Sequence, residues 1–314
     1  MIKKKIEDRD LQEHLAALSD DGREVFLLHN DQIRVTAIAA TKLINQMRAN
    51  HDLGLLETYV LGQAYLAGAL LSATVKGNDR IQLNIECGGP IGGVFVESWA
   101  VGAVRGYLKH NPIPLKESLK SLDLNELYGP GFLSISKILE GRKTPFTGQT
   151  MMAYGDLAKD LALHYQQSEQ TPTMFVLSLH FDKQGRVTGS GALFLQVMPG
   201  CNEGVLAELD ELSTKLPSIG TWLAEGKTIR AYVEQQFQAY QVRHLASQFI
   251  AFSCPCTREQ YTRYLQQLNK EEQKDILANG PFPLEVVCVN CNTHYHYERF
   301  ELEHLLSEAG GVAE

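Results

Sequence analysis

The sequence predicts an α+β fold with three parts: an antiparallel-sheet N-terminal domain with covering helices, a helical linker and a small C-terminal zinc-binding domain. Three observations carry this. Period-2 alternation of apolar residues recurs between Arg23 and Val197, apolar helical stretches fall between those strands, and four of the six cysteines crowd into fewer than forty residues near the C-terminus. With 314 residues, 44% hydrophobic and 21% charged, the chain can form a real core and suggests two domains, or one large domain with an appendage.

Strands are expected at Ile81 to Glu86, Phe132 to Ile138 and Met174 to Phe181, each alternating and each bounded by Gly, Pro or Asn. Helices are expected at Ala40 to Asn50, Leu55 to Val75 and Tyr154 to Gln167, covering the apolar face of the sheet. Within the second, Gly62 and Gly68 would allow a neighbour to approach closely. The character changes near Cys201. Val205, Leu209, Leu212 and Leu216 share one helical face, and Ile229, Val233, Phe237 and Tyr240 share another. Gly204, Pro217, Gly220 and Gly226 break the run into short helices, which need a docking surface to stay folded. The resulting division is residues 1–200, a metastable helical linker at 201–253, and a domain at 254–314 too small for a large core and in need of a staple.

Composition narrows the function. Against 29 Lys and Arg stand 37 Asp and Glu, a formal net charge of -8, which argues against nucleic acid or an anionic membrane as the main partner. The start, Met1 to Asp10, opens like the basic part of a signal peptide but runs into acids. Tyr59 to Val75 carries Gln63, Ser72 and Thr74 and falls short of the ~20 apolar residues that span a bilayer. A cytoplasmic chain is expected, where thiols stay reduced and serve as metal ligands or redox devices.

The strongest motif is Cys254-Pro255-Cys256, followed after 31 residues by Cys288-Val289-Asn290-Cys291. Two close pairs of soft thiolates suit one tetrahedral Zn²⁺ with Zn–S bonds of about 2.3 Å. Such a shell keeps the sulfurs deprotonated and places them roughly 3.8 Å apart, so local oxidation to disulfides is within geometric reach and would destroy the shell. The alternatives are a permanent structural zinc ribbon, a thiol-disulfide oxidoreductase, and a site in which His294 or His296 replaces a cysteine. Other motifs are weaker. Cys87 reads as a buried thiol before the sheet turn Gly88 to Gly93. Gly220 to Gly226-Lys227-Thr228 departs from a phosphate loop in spacing and lacks a preceding strand. His164 reads as a surface or core residue, and no hydrolase pattern occurs, so no enzyme is expected.

Over nearly its whole length the chain resembles the heat-shock protein 33 family of bacterial redox-regulated holdase chaperones. The resemblance rests on Gly89-Pro90-Ile91-Gly92, Val104-Arg105-Gly106-Tyr107, Ser168-Glu169-Gln170-Thr171-Pro172, Gln196-Val197-Met198-Pro199-Gly200, Cys254-Pro255-Cys256-Thr257-Arg258-Glu259, and Cys288-Val289-Asn290-Cys291 with His294-Tyr295. It implies one Zn²⁺ per chain in the reduced form, held by Cys254, Cys256, Cys288 and Cys291. It also implies that oxidation pairs Cys254 with Cys256 and Cys288 with Cys291. Zinc loss and linker unfolding would then give an ATP-independent holdase for unfolded clients, commonly a homodimer. Cys201, at the start of the linker, has no role in the family pattern.

Overall fold

Alternating strands present an apolar face that must be covered, and residues 4–252 meet that demand with two sheets and a buried helix that touches strands of both. The computed structural model describes residues 1–115, 124–198, 201, 211 and 214–308, which fall into two compact units. The larger unit is Lys4–Phe252. One of its sheets contains β1 (Gly22–Leu28), β2 (Ile33–Ala39), β8 (Thr173–Phe181), β9 (Val187–Val197) and β10 (Arg243–Phe249), in the order β10-β1-β2-β9-β8. The other contains β3 (Arg80–Cys87), β4 (Gly93–Trp99), β5 (Ala103–Leu108), β6 (Gly131–Ile138), β7 (Phe146–Met151) and β11 (Ala251–Phe252), in the order β11-β5-β4-β3-β6-β7. Every pairing in the two sheets is antiparallel except that of β11 with β5.

The expected strands lie within β3, β6 and β8. Register explains why: Leu83 of β3 stands opposite Val96 on one side and Ile135 on the other, and all three are buried. The expected helices are α2 (Thr41–His51), α3 (Leu55–Leu71) and α5 (Leu157–His164); α1 is Arg9–Ala17 and α4 is Asn125–Tyr128. Helix α3 touches strands of both sheets and is buried along nearly its whole length. A Cβ at Gly62 would meet Leu179 of β8 at 2.6 Å, and one at Gly68 would meet Val96 of β4 at 2.7 Å, so both glycines permit close approach. Helix α5 starts three residues later than expected. Asp156 caps it by accepting from the N–H groups of Ala158 and Lys159 at 3.0 and 3.2 Å.

From residue 214 to Phe252 the chain stays in the larger unit. Helices α6 (Ile219–Ala224) and α7 (Ile229–Gln236) cover the face of the five-stranded sheet that bears Phe26, Leu28, Ile33, Val35, Leu193 and Leu195. Of the two helical faces expected here, Ile229, Val233 and Phe237 are buried and Leu216 and Tyr240 pack at the edge; Val205, Leu209 and Leu212 lie outside the described residues. Residues 243–252 add strands to the helices that the periodicity indicates. Their partners β1 and β5 lie far away in sequence, and pairing overrides local preference.

The smaller unit is Met1–Lys3 with the described residues from Ser253 onward. It holds a hairpin of β12 (Leu284–Cys288) and β13 (Thr293–Tyr297) and helices α8 (Arg258–Gln267), α9 (Lys270–Asn279) and α10 (Arg299–Glu308). Thr257 caps α8, and an Asn269/Glu272 capping box starts α9.

One contact in the larger unit yields a pH test. Helix α2 has no cap of its own, and buried Asp21 supplies one, accepting from Leu43 N–H at 2.6 Å and Lys42 N–H at 3.2 Å. Burial nevertheless pushes its carboxyl up to about 7, against the pull of those two bonds. The unfolded carboxyl titrates near 3.9, so between roughly pH 4 and 7 the native state holds a proton that the unfolded chain has released. Stability from this group is complete below that window and is lost as pH rises through about 7. Raising the pH from 5 to 8 is therefore expected to lower the thermal midpoint of the wild type more than that of Asp21→Asn. Parallel pH dependences would show that Asp21 does not titrate in this way.

Candidate metal centre

The four motif cysteines come from two local structures. Cys254 and Cys256 lie on the extended stretch between β11 and α8, where residues two apart point the same way. Cys288 ends β12, and the following turn folds back on it: the N–H groups of Cys291 and Asn292 donate to the Cys288 carbonyl at 3.2 and 2.7 Å. Asn292 takes a left-handed conformation with φ 50°, which Asn tolerates better than most residues. The turn brings Cys291 beside Cys288.

All four sulfurs lie within 4.8 Å of one another, and all four residues are buried. Cys254 Sγ is 3.8 Å from Cys288 Sγ, and Cys256 Sγ is 3.4 Å from Cys291 Sγ. A tetrahedron with bonds of about 2.3 Å has edges of roughly 3.8 Å, so the spacing and the donor type fit a metal such as zinc. The sulfurs also crowd one another electrostatically. Hydrogen bonds with Cys254 and Cys291 pull the Cys288 thiol down, while hydrogen bonds with Cys254 and Cys288, together with burial, push Cys291 up. Four thiols this close cannot all ionise unless a cation shares their charge.

Hydroxyl groups surround the cluster. Tyr295 Oη lies 3.3 Å from Cys256 Sγ and donates to the Cys256 carbonyl at 3.1 Å. Thr293 Oγ1 is 3.2 Å from Cys291 Sγ, and Tyr261 of α8 is hydrogen-bonded to Cys288. Burial and these sulfur contacts push both tyrosines above their ordinary range. None of the three hydroxyls is marked by the cysteine motifs in the sequence. Alternation along β13 is the signal that would have found two of them, because Thr293, Tyr295 and Tyr297 are buried on one face while His294 and His296 stand on the other. There His294 Nδ1 meets Glu285 at 2.8 Å and His296 lies 3.8 Å from the same carboxylate, so neither imidazole joins the sulfurs.

The remaining candidates stay apart from this cluster. Cys87 is half-buried at the end of β3, and burial pushes its thiol up. Cys201 packs at the edge of the core under α6 and α7. His164 is a core residue with Nδ1 3.2 Å from Thr150 Oγ1, and burial pulls its imidazole down. Gly88 to Gly93 form the expected sheet turn, pinned by Gly89 N–H to the Tyr128 carbonyl at 2.8 Å. The stretch from Gly220 to Thr228 forms α6 and its turn into α7, closed by Trp222 Nε1–H donating to the Thr228 carbonyl at 2.9 Å. Among the described residues no helix is long and apolar enough to cross a membrane.

Comparison with known proteins agrees with this architecture. The 33 kDa chaperonin of Desulforamulus reducens is 30% identical over 298 residues, 94% of this chain and 98% of that protein. The 33 kDa chaperonin of Geobacillus kaustophilus is 31% identical over 282 residues, 89% of this chain and 95% of its own length. The crystal structure of the 33 kDa chaperonin (heat shock protein 33 homolog) from Thermotoga maritima superposes with a TM-score of 0.83 at 28% identity, covering 93% of this chain and 100% of that one. The family model described as Hsp33 protein matches residues 21–298, which include both sheets and all four clustered cysteines; the chain belongs to the Hsp33 family.

Proposed function

We propose that the chain is a redox-regulated, ATP-independent holdase chaperone of the cytoplasm, with unfolded proteins as clients and an oxidised homodimer as the active form. The observation that supports it best is the buried cluster of four thiols in a unit with little other core. Among its described residues the buried apolar side chains besides the cysteines are Tyr295, Tyr297, Leu302 and Leu306. Cys254, Cys256, Cys288 and Cys291 would hold one Zn²⁺ in the reduced chain, and the ion, when bound, would keep the sulfurs as thiolates. A unit built this way loses its fold when its ligands are consumed.

Oxidation of the thiolates by hydrogen peroxide balances as two thiolates, one peroxide and two protons from solvent giving one disulfide and two waters, two electrons passing from sulfur to oxygen, with the zinc released as Zn²⁺. Two such events consume the four ligands. The pairing of Cys254 with Cys256 and of Cys288 with Cys291 follows from the family resemblance, since sulfurs all within 4.8 Å leave every pairing within reach.

The switched segment in this reading is residues 201–253. Ile219, Leu223, Ile229, Tyr232 and Val233 are each at most 5% exposed, yet they sit on helices of six and eight residues, and fully buried Phe237 caps the second. Helices so short are held by docking, and undocking would uncover both their own apolar side chains and the sheet face beneath them. Such a surface suits the exposed apolar segments of an unfolding client.

Two outcomes are expected. Reduced protein carries one zinc per chain and suppresses aggregation of a heat-denatured client poorly, whereas peroxide-treated protein has released the zinc and suppresses aggregation without ATP. Metal analysis and light scattering on the same samples check this. Retention of zinc under oxidant would favour a permanent zinc ribbon, and catalysed reduction of insulin would favour an oxidoreductase. Leu223→Glu places a charge beneath α6 at a cost of several kcal/mol unless the helix undocks. This variant should suppress aggregation while still reduced and zinc-loaded, and should gain tryptic cuts near Lys215, Lys227 or Arg230. A variant as inactive and as protected as the wild type would sink the docking argument.

A further inference from the structure

Thr293 joins two parts of the chain that the sequence holds 291 residues apart. Its Oγ1 lies 3.2 Å from Cys291 Sγ, 3.1 Å from the Ile2 nitrogen and 3.4 Å from the Ile2 carbonyl. The residue itself is only 2% exposed. A hydroxyl has one proton to give and two lone pairs to offer. Donation to an ionised sulfur is the stronger choice, which leaves the oxygen to accept from Ile2 N–H.

The segment also reaches Cys256, there through the backbone carbonyl and not the sulfur. The Met1 nitrogen donates to the Cys256 carbonyl at 2.6 Å, the carbonyl that also accepts from Tyr295 Oη. Residues 1–3 are thus hydrogen-bonded around Cys256 and Cys291, whose sulfurs are 3.4 Å apart. The next residue opens the larger unit, where Lys4 N–H donates to Asn50 Oδ1 at 3.2 Å and Gln46 Nε2 donates to the Lys4 carbonyl at 2.8 Å. The segment is therefore bonded on both sides of residue 3.

We propose that Thr293 is a positioning residue that relays the placement of the N-terminal segment to Cys291, so that residues 1–3 strengthen the hold of the cysteine cluster on its metal. The proposal rests on the reading that the four cysteines bind zinc. Hydrogen bonds to a ligating sulfur fix its direction and stabilise its charge, and removing such partners commonly costs 10- to 100-fold in metal affinity. The Ile2 N–H acts at one remove, by keeping the Thr293 proton turned toward sulfur.

The experiment uses the full chain, zinc-loaded and reduced, in competition with a chromogenic chelator. Thr293→Val is expected to weaken zinc by about 10-fold or more, while Thr293→Ser, which keeps the hydroxyl, stays close to wild type. Ile2→Pro removes the backbone N–H at a residue that is 59% exposed, where loss of the isoleucine side chain costs little packing. It should weaken zinc in the wild-type background and add nothing to Thr293→Val, because both act through one hydrogen-bond chain. With Co²⁺ as the probe, Thr293→Val should also shift the thiolate-to-metal charge-transfer band, a signature that general loss of packing does not produce. Three results would each overturn the proposal: wild-type affinity in Thr293→Val, failure of Thr293→Ser to restore affinity, or an undiminished Ile2→Pro effect in the double variant. A wild-type chain that binds no zinc would instead remove the metal-binding reading beneath it.

Discussion

Four thiols buried within 4.8 Å of one another are an unstable arrangement by themselves. Deprotonating one makes deprotonating the next harder, because like charges at this distance repel. A divalent cation reverses that penalty, since each thiolate then gains from the shared charge. Half of the buried apolar residues among the described positions of the smaller unit are the cysteines themselves, so these sulfurs make up a large share of its small core.

The larger unit is constrained differently. Its five-stranded sheet has two apolar faces, and α3 lies against one of them while also touching the second sheet. That arrangement is deep and continuous, with Gly62 and Gly68 letting the helix backbone approach Leu179 and Val96. Among the described residues the opposite face is covered mainly by α6 and α7, short helices joined by a turn that Trp222 and Thr228 close. Cooperative stability should be unequal across the unit for that reason: the covering helices contribute few residues each, and their removal leaves the strand ladders intact.

Outer contacts link these themes. Tyr261, Tyr295 and Thr293 each place a hydroxyl against a sulfur, so side chains from α8 and β13 surround the cluster as well as its own two chain segments. Hydroxyl donors stabilise the charged form of sulfur without competing for a ligand position, and their geometry follows the hairpin register. The histidines two and four residues after Asn292 are excluded by the same register, because alternation sends them to the Glu285 side.

Sequence by itself determined the α+β class, the strands around Leu83, Ile135 and Val176, the helices α2 and α3, and the identity of the four cysteines, because these depend on local periodicity and on spacing within short motifs. It also indicated that Ile229, Val233 and Phe237 share a helical face. Only the tertiary structure decided that residues 243–252 become strands, that Asp21 caps α2 across a chain separation of about twenty residues, and that Met1–Lys3 belong with the cysteine unit. In each of these cases the deciding partner is remote, and a hydrogen bond to a remote group leaves no period, composition or spacing in the segment that makes it.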